Sequence, residues 1–167
     1  MAVEFTDSPA IAMILIIGSF VGPPMLTLIH ELGHATAALV FTTDRVLITL
    51  GDGSHWQQSI GRLTVQASLF SGAVGFVDLE GELTQWQAIT MALSGPAVSL
   101  GLCIGAFLAL VLTPITGWKE ILLFGISLFT GIQFLLIIIP MHYPSWWSDA
   151  YVGTPSDGYR ALQQLRK

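Results

Sequence analysis

The chain has 167 residues, of which 53% are apolar and only 10% are charged, and its mean hydropathy is +0.70. Soluble domains carry about a quarter charged residues, so this composition excludes an ordinary soluble protein and predicts a single membrane-embedded domain over residues 1–167. The formal net charge of −5, without any basic run, excludes electrostatic recognition of nucleic acid, and the single cysteine excludes both an internal disulfide and a cysteine-based zinc cluster.

The first long apolar region covers residues 9–41, and the stretch Val21-Gly22-Pro23-Pro24 interrupts it. Tandem prolines break or start helices, so we expect a break here, with Pro24 opening the helix that follows. Residues 9–20 then form a separate short helix or the upper part of one long, kinked helix. Residues 1–8 contain no Lys or Arg, so they lack the positively charged leader of a cleaved signal peptide.

The most specific motif, His30-Glu31-Leu32-Gly33-His34, lies in the second half of this region. His30 and His34 share one face of a helix because they are four residues apart, and neutral imidazoles at that spacing bind one zinc ion. Glu31 projects from the adjacent position and is the expected general base for the water that zinc activates. Ionisable groups inside a membrane helix are functional candidates by default. The alternative is a polar cluster that bridges helices without metal.

Residues 42–86 differ in character from the apolar regions, because they combine acidic residues with several glycines. Three stretches within them, residues 45–50, 61–66 and 73–77, show the alternation and glycine punctuation typical of β-strands. We therefore expect a small sheet or hairpin that lies at the membrane surface.

Two further charge-poor regions supply expected spans at residues 88–112 and 120–140. About 20 apolar residues cross the hydrocarbon core as a helix, and residues 24–41 form the remaining expected span. The expected fold class is an all-α polytopic membrane protein with three core transmembrane helices and a small membrane-surface β element. A fourth span is added if residues 9–20 cross separately.

The basic residues predict the orientation, because five of them fall on one side of the three expected spans and only Lys119 falls on the other. The five are Arg45, Arg62, Arg160, Arg166 and Lys167. The positive-inside rule then predicts a multi-pass integral membrane protein with the 42–86 region and the C-terminus in the cytoplasm.

Residues 141–167 form an expected interfacial tail, and this tail contains the leading candidates for a third zinc ligand. Catalytic zinc sites usually combine three protein ligands with a water. The options are His142, which follows the third span, and a late carboxylate, whereas His55 lies in a polar loop where solvent exposure is expected. Among the carboxylates Asp157 is the strongest candidate, and its alternative role is to cap a short final helix over residues 158–166.

Three motifs resemble those of the site-two protease family of intramembrane zinc metalloproteases, and they occur in the family's order. They are His30-Glu31-Leu32-Gly33-His34, Ser94-Gly95-Pro96 in the second span and Ser156-Asp157-Gly158 after the last span. In such enzymes the Asp of the last motif is the third zinc ligand. The resemblance, which covers roughly residues 20–160, therefore implies that Asp157 completes the site begun by His30 and His34.

One element of that family is missing. The family commonly has Asn-x-x-Pro before the Asp-Gly motif, with the Asn holding the substrate or stabilising the oxyanion, but Ile137-Ile138-Ile139-Pro140 occupies the analogous stretch. The candidate replacements are Gln133, one helical turn earlier, and Asp149, eight residues before Asp157.

These observations together predict an intramembrane zinc metalloprotease that hydrolyses peptide bonds of transmembrane or membrane-adjacent proteins in the lipid bilayer. A helical substrate hides its carbonyls in hydrogen bonds and must unwind before attack. The alternative is a catalytically inactive relative that acts as a membrane binding or regulatory protein. A metal transporter is less consistent with the chain, because the interiors of the second and third spans carry no charged residue.

Overall fold

The computed structural model describes residues 9–51, 56–68, 74–144 and 151–167. In this part of the chain the fold is mostly helical with one small sheet, which confirms the coarse architecture predicted from the sequence. The elements in chain order are α1 (Pro9–Phe41), β1 (Val46–Leu50), β2 (Trp56–Ile60), β3 (Leu63–Ala67), β4 (Gly75–Leu79), α2 (Gln85–Leu112), α3 (Trp118–Ile138) and α4 (Asp157–Leu165).

The first helix is continuous, so the expected break before Pro24 is wrong. Helix α1 runs for 33 residues and contains both Pro23 and Pro24. The φ angle of proline is itself helical, so each proline removes one backbone hydrogen bond without forcing a turn. The missing bonds do not outweigh the helical preference of the long apolar sequence on both sides.

The sheet has the strand order β2-β3-β1-β4, with β1 and β3 parallel and the other two pairs antiparallel. Strand β1 is central and alternates buried with half-buried residues. Its Val46 and Ile48 lie in the same fully buried cluster as Ala35 and Ala38 of α1. Because alanine side chains are short, the sheet packs closely on the helix that carries the histidine motif.

The sheet is also tied to the end of α1 by Arg62, which lies in the tight turn between β2 and β3. Its guanidinium donates hydrogen bonds to the carbonyls of Thr42 at 2.5 Å and Leu39 at 2.9 Å. A cation that satisfies the last carbonyls of a helix is favourable because those groups carry partial negative charge. Gly61 precedes it with a φ of 60°, a left-handed conformation that suits glycine.

Helices α2 and α3 are long and apolar enough to cross a membrane, and they are the two that meet this criterion among the described residues. They cover residues 85–112 and 118–138, close to the expected 88–112 and 120–140. Helix α2 packs against both α1 and α3. It therefore forms the middle of the helical layer, and its Ser99 side chain contacts the histidine motif.

Helix α4 begins at the end of α3 because Ser156 ties the two together. The Ser156 hydroxyl accepts hydrogen bonds from the backbone N–H groups of Tyr159 and Met141 and donates one to the carbonyl of Ile139 at 2.7 Å. Ser156 is thus the N-cap, and Asp157 is the first helical residue. The alternative in which Asp157 caps the final helix is therefore wrong. Its carboxylate points toward His30 and His34 instead.

Candidate metal centre

Three side chains of the histidine motif are buried in the interior of the fold. His30, Glu31 and His34 expose 4%, 5% and 6% of their surface, although all three are polar. They line a cavity of about 250 Å³ that lies between α1, α2, the start of β4 and the segment leading into α4. Their burial is costly without partners, so the contacts around them indicate what the site is built to hold.

Residues on α2 fix both imidazole rings. His34 Nδ1 lies 2.6 Å from the carbonyl oxygen of Met91, and His30 Nδ1 lies 2.9 Å from the hydroxyl of Ser99. A carbonyl only accepts, so His34 carries its proton on Nδ1 and its Nε2 is an acceptor in the neutral ring. Such outer hydrogen bonds are what orient metal-binding histidines. Neither Met91 nor Ser99 was identified from the sequence, and a polar residue in an apolar span was the only signal for Ser99.

Asp157 reaches the same point from the start of α4, 123 residues after His34. Its Oδ2 lies 3.1 Å from His34 Nε2 and 3.4 Å from His30 Nε2, and the two Nε2 atoms are 3.2 Å apart. Ligands about 2.0–2.1 Å from a tetrahedral zinc ion are about 3.3–3.4 Å from one another. The three atoms therefore have the mutual spacing of three corners of a zinc coordination tetrahedron.

The chemistry of these donors also fits a cation. Burial alone would raise the pKa of Asp157, but its contacts with His30 and His34 outweigh burial and hold the pKa well below its usual range. The carboxylate is therefore ionised and converges with two imidazole nitrogens on one small volume. Without a shared cation or proton such a group of acceptors repels itself. Among the described residues, His30, His34 and Asp157 form a group whose ligand atoms lie close enough together to hold one metal ion.

Glycines of two motifs allow these elements to approach. A Cβ atom on Gly95 would lie 2.6 Å from two imidazole carbons of His34, and one on Gly33 would lie 2.8 Å from the carbonyl oxygen of Ser94. A Cβ on Gly158 would meet the backbone of Ile138. Real Cβ atoms do not tolerate such contacts, so each glycine permits a close approach that places a site residue.

Strand β4 begins against the carboxylate of Glu31. A Cβ atom on Gly75 would lie 2.5 Å from Glu31 Oε1. The Tyr151 hydroxyl holds this position, because it accepts a hydrogen bond from the Gly75 N–H at 2.9 Å and donates one to the Gly75 carbonyl at 3.3 Å. Tyr143 lines the same cavity, and burial raises its pKa to about 12. No local sequence pattern indicates these contacts, since they join residues far apart in the chain.

The remaining predicted residues have different outcomes. Gln133 lines the cavity, and its side-chain carbonyl accepts a hydrogen bond from Ser99 at 3.1 Å. His142 is exposed and its ring packs on Tyr159, with centroids 4.3 Å apart, so it does not join the metal-binding group. Asp149 and His55 lie outside the described residues.

A comparison with protein-family models gives a match to peptidase family M50 over residues 19–153, well over half of the chain. The chain belongs to peptidase family M50. This is the site-two protease family, so the resemblance noted from the motifs is confirmed. M50 members are membrane-associated zinc metalloproteases, and membership of this family supports the assignment of the chain to the metalloprotease class of hydrolases.

The match includes the histidine motif and Ser94-Gly95-Pro96, but it ends four residues before Asp157. The assignment of Asp157 in this M50 chain therefore depends on the geometry described above. A comparison with individually curated proteins found no match.

Proposed function

We propose that this M50 chain is an intramembrane zinc metalloprotease that hydrolyses peptide bonds of transmembrane or membrane-adjacent proteins. The observation that carries the proposal is the convergence of His30 Nε2 and His34 Nε2 of α1 with Asp157 Oδ2 of α4, at separations of 3.1–3.4 Å. Glu31 follows His30 directly on α1. Three ligands with one position left for water are the pattern of catalytic zinc. A purely structural site would be closed by a fourth protein ligand.

His30, His34 and Asp157 are the residues that would hold zinc. When bound, zinc polarises a carbonyl and makes a water acidic enough to react at neutral pH. Glu31 accepts the proton from the attacking water and later delivers it to the leaving amine. The buried position of Glu31 beside Gly75 supports this role, because a carboxylate already placed at the site needs little reorganisation during the reaction.

The proposed membrane arrangement has three spans, α1, α2 and α3. Helix α1 is 33 residues long, and an α-helix rises about 1.5 Å per residue, so it exceeds the hydrocarbon thickness. The basic residues favour a cytoplasmic position for the sheet, α4 and the C-terminus. The zinc-binding residues would then lie toward the cytoplasmic end of α1, where water can reach them.

A transmembrane substrate must expose a peptide bond in an extended form. Strand β4 is at one edge of the sheet and starts beside Glu31. An unwound segment could pair with this edge by adding a strand, a common mode of peptide recognition. Backbone pairing would suit several substrates, because it depends little on side-chain identity.

The oxyanion donor is the part of the mechanism for which this chain departs from its family. Gln133 is the proposed replacement, since it lines the cavity from α3 and carries an amide donor. Asp149 is the other candidate from the sequence. One oxyanion donor contributes about 10²–10³-fold to the rate, so a weaker donor gives a slower enzyme.

A second candidate function has one observation in its favour. Ile137 lies in the cavity wall at the position where the family's Asn is expected, and it offers no hydrogen bond. An inactive relative that binds membrane proteins or regulates them would need no oxyanion donor. The buried Glu31 argues against this alternative, because a binding protein has no use for a general base.

Cleavage of a model transmembrane substrate by purified protein in liposomes tests the proposal, with bound zinc measured in every sample. We expect Glu31→Gln to retain zinc and to lose about 10²–10⁴-fold in rate, the usual contribution of a general base. Glu120→Gln is the matched control, because Glu120 is an exposed acid in the first turn of α3.

Two outcomes contradict the proposal. Equal rates for wild type and Glu31→Gln would remove Glu31 from the mechanism. Zinc bound by the wild type without cleavage of any of several substrates would favour the binding function.

A further inference from the structure

Thr27 is a buried residue whose hydroxyl has no hydrogen-bond partner within the described part of the chain. It exposes 2% of its surface and lies on α1, one helical turn before His30 and Glu31. Buried polar groups nearly always have a partner, and each exception needs an explanation.

The other threonines inside the described helices show what Thr27 does not do. Thr36, Thr90 and Thr130 each donate to the carbonyl four residues earlier in the same helix, at 2.6–2.9 Å. This bond is the ordinary way in which a helical threonine satisfies its hydroxyl. Thr27 does not make this bond to Pro23, so no residue in the described ranges accepts from its hydroxyl or donates to it.

Thr27 lies in the wall between two cavities. The first is the zinc-site cavity, and the second is a mainly apolar cavity of about 230 Å³ between α1 and α3. The second cavity takes its apolar lining from Phe129, Ile132, Leu136 and Ile137. Thr27 and Gln133 are polar residues that line both cavities, and the Thr27 hydroxyl oxygen itself is fully buried in the present rotamer.

Both residues can offer a donor at this junction. Gln133 turns its side-chain oxygen to the Ser99 hydroxyl, so its amide nitrogen is on the opposite side. One rotation about χ1 exchanges the Thr27 hydroxyl with its methyl group, and helical threonines populate two such rotamers. Donors suit backbone carbonyl oxygens, and an unwound segment in an apolar crevice has carbonyls that water does not reach.

We propose that Thr27 is a substrate-binding residue whose hydroxyl donates a hydrogen bond to the backbone of a substrate segment lying in the crevice between α1 and α3. This inference rests on the proposed function, and it names where the unwound substrate lies before it reaches Glu31. The cavity accepts an apolar side chain next to the bonded carbonyl. The Thr27 hydroxyl, which has no partner among the described residues of the substrate-free protein, would then gain its hydrogen-bond acceptor when the substrate binds.

Thr27→Val removes the hydroxyl and keeps the shape, which makes it the central variant. We expect it to lower kcat/KM about tenfold, mainly through KM, with bound zinc unchanged and the thermal midpoint equal to or above that of the wild type. Stability does not fall because valine replaces a hydroxyl that had no partner. Thr27→Ser restores the hydroxyl and should recover most of the affinity.

Thr130→Val is the matched control, because Thr130 is fully buried on α3 but bonds to Ile126. We expect the opposite pattern from it, with a lower thermal midpoint and an unchanged KM. Equal kcat/KM for Thr27→Val and wild type would overturn the proposal, and so would a loss of zinc from Thr27→Val. The first result would mean that the hydroxyl serves a water or a lipid, and the second that it acts on the metal site.

Binding measured in the Glu31→Gln background separates this inference from the proposed function. If the wild type cleaves nothing, the affinity of Glu31→Gln protein for a fluorescent transmembrane peptide still tests Thr27. A tenfold weaker affinity after adding Thr27→Val supports the inference without any catalysis. An unchanged affinity overturns it.

Discussion

Ser99→Ala tests whether the hydrogen bond behind His30 contributes to metal binding. Ser99 is 1% exposed, and its hydroxyl lies 2.9 Å from His30 Nδ1 and donates to Gln133. Alanine removes the acceptor of the imidazole N–H from a buried position. An unpaired buried donor costs about 1–3 kcal/mol, and loss of an outer partner weakens metal binding about 10–100-fold, or about 1.4–2.8 kcal/mol. These two ranges of free energy overlap, so we expect the zinc affinity of Ser99→Ala to be about 10–100-fold lower than that of the wild type.

The assay is a competition titration of zinc between the purified protein and a fluorescent chelator of known affinity. Ser127→Ala is the control, since Ser127 is also buried but donates to the carbonyl of Cys103, away from the metal site. An affinity for Ser99→Ala within twofold of the wild type would refute the reasoning. It would mean that packing alone orients the ring.

Two further substitutions test how the site is built. Gly95→Ala adds a methyl group that would overlap the His34 ring, so we expect zinc affinity to fall at least about tenfold in the same titration. Gly101→Ala is the control and should bind zinc normally, because its Cβ meets nothing within 4 Å among the described residues. Arg62→Ala removes the bonds that hold the sheet to the end of α1, and we expect a loss of about 0.3–1 kcal/mol of stability in thermal unfolding. The exposed Arg166→Ala is its control, and equal loss from both would contradict a specific role for Arg62.

The sequence was sufficient where chemistry depends on short spacing. His30 and His34 are four residues apart, and any helix places them on one face. The small sheet was also predictable from alternation in the stretches that became β1, β3 and β4. Strand β2 was missed because its sequence, Trp56-Gln57-Gln58-Ser59-Ile60, is mostly polar and every residue is exposed. Pairing with β3 stabilises it, and a local pattern does not report pairing.

Long-range contacts account for the rest. Asp157 was identified from the family resemblance, and only the folded chain reveals that Ser156 is the cap and leaves the carboxylate of Asp157 available. The sequence predicts that Gln133 holds the substrate or stabilises the oxyanion. In the structure Gln133 is also connected to His30, because Ser99 forms hydrogen bonds with both residues. The continuity of α1 through Pro23 was missed because the proline rule describes isolated hydrogen bonds, whereas the helix is stabilised along its whole length.

The bond pair between Tyr151 and Gly75 has a consequence for register. Main-chain groups that face the free edge of an antiparallel strand recur at every second residue, so Val77 is the next position after Gly75. A substrate strand that pairs with this edge would either make its first backbone hydrogen bonds at Val77 or displace the Tyr151 hydroxyl from Gly75. For a substrate bound in the proposed way, the phenol would therefore limit how far the strand advances toward Glu31. It also shields the end of an edge strand from wrong partners, a common hazard of open sheets.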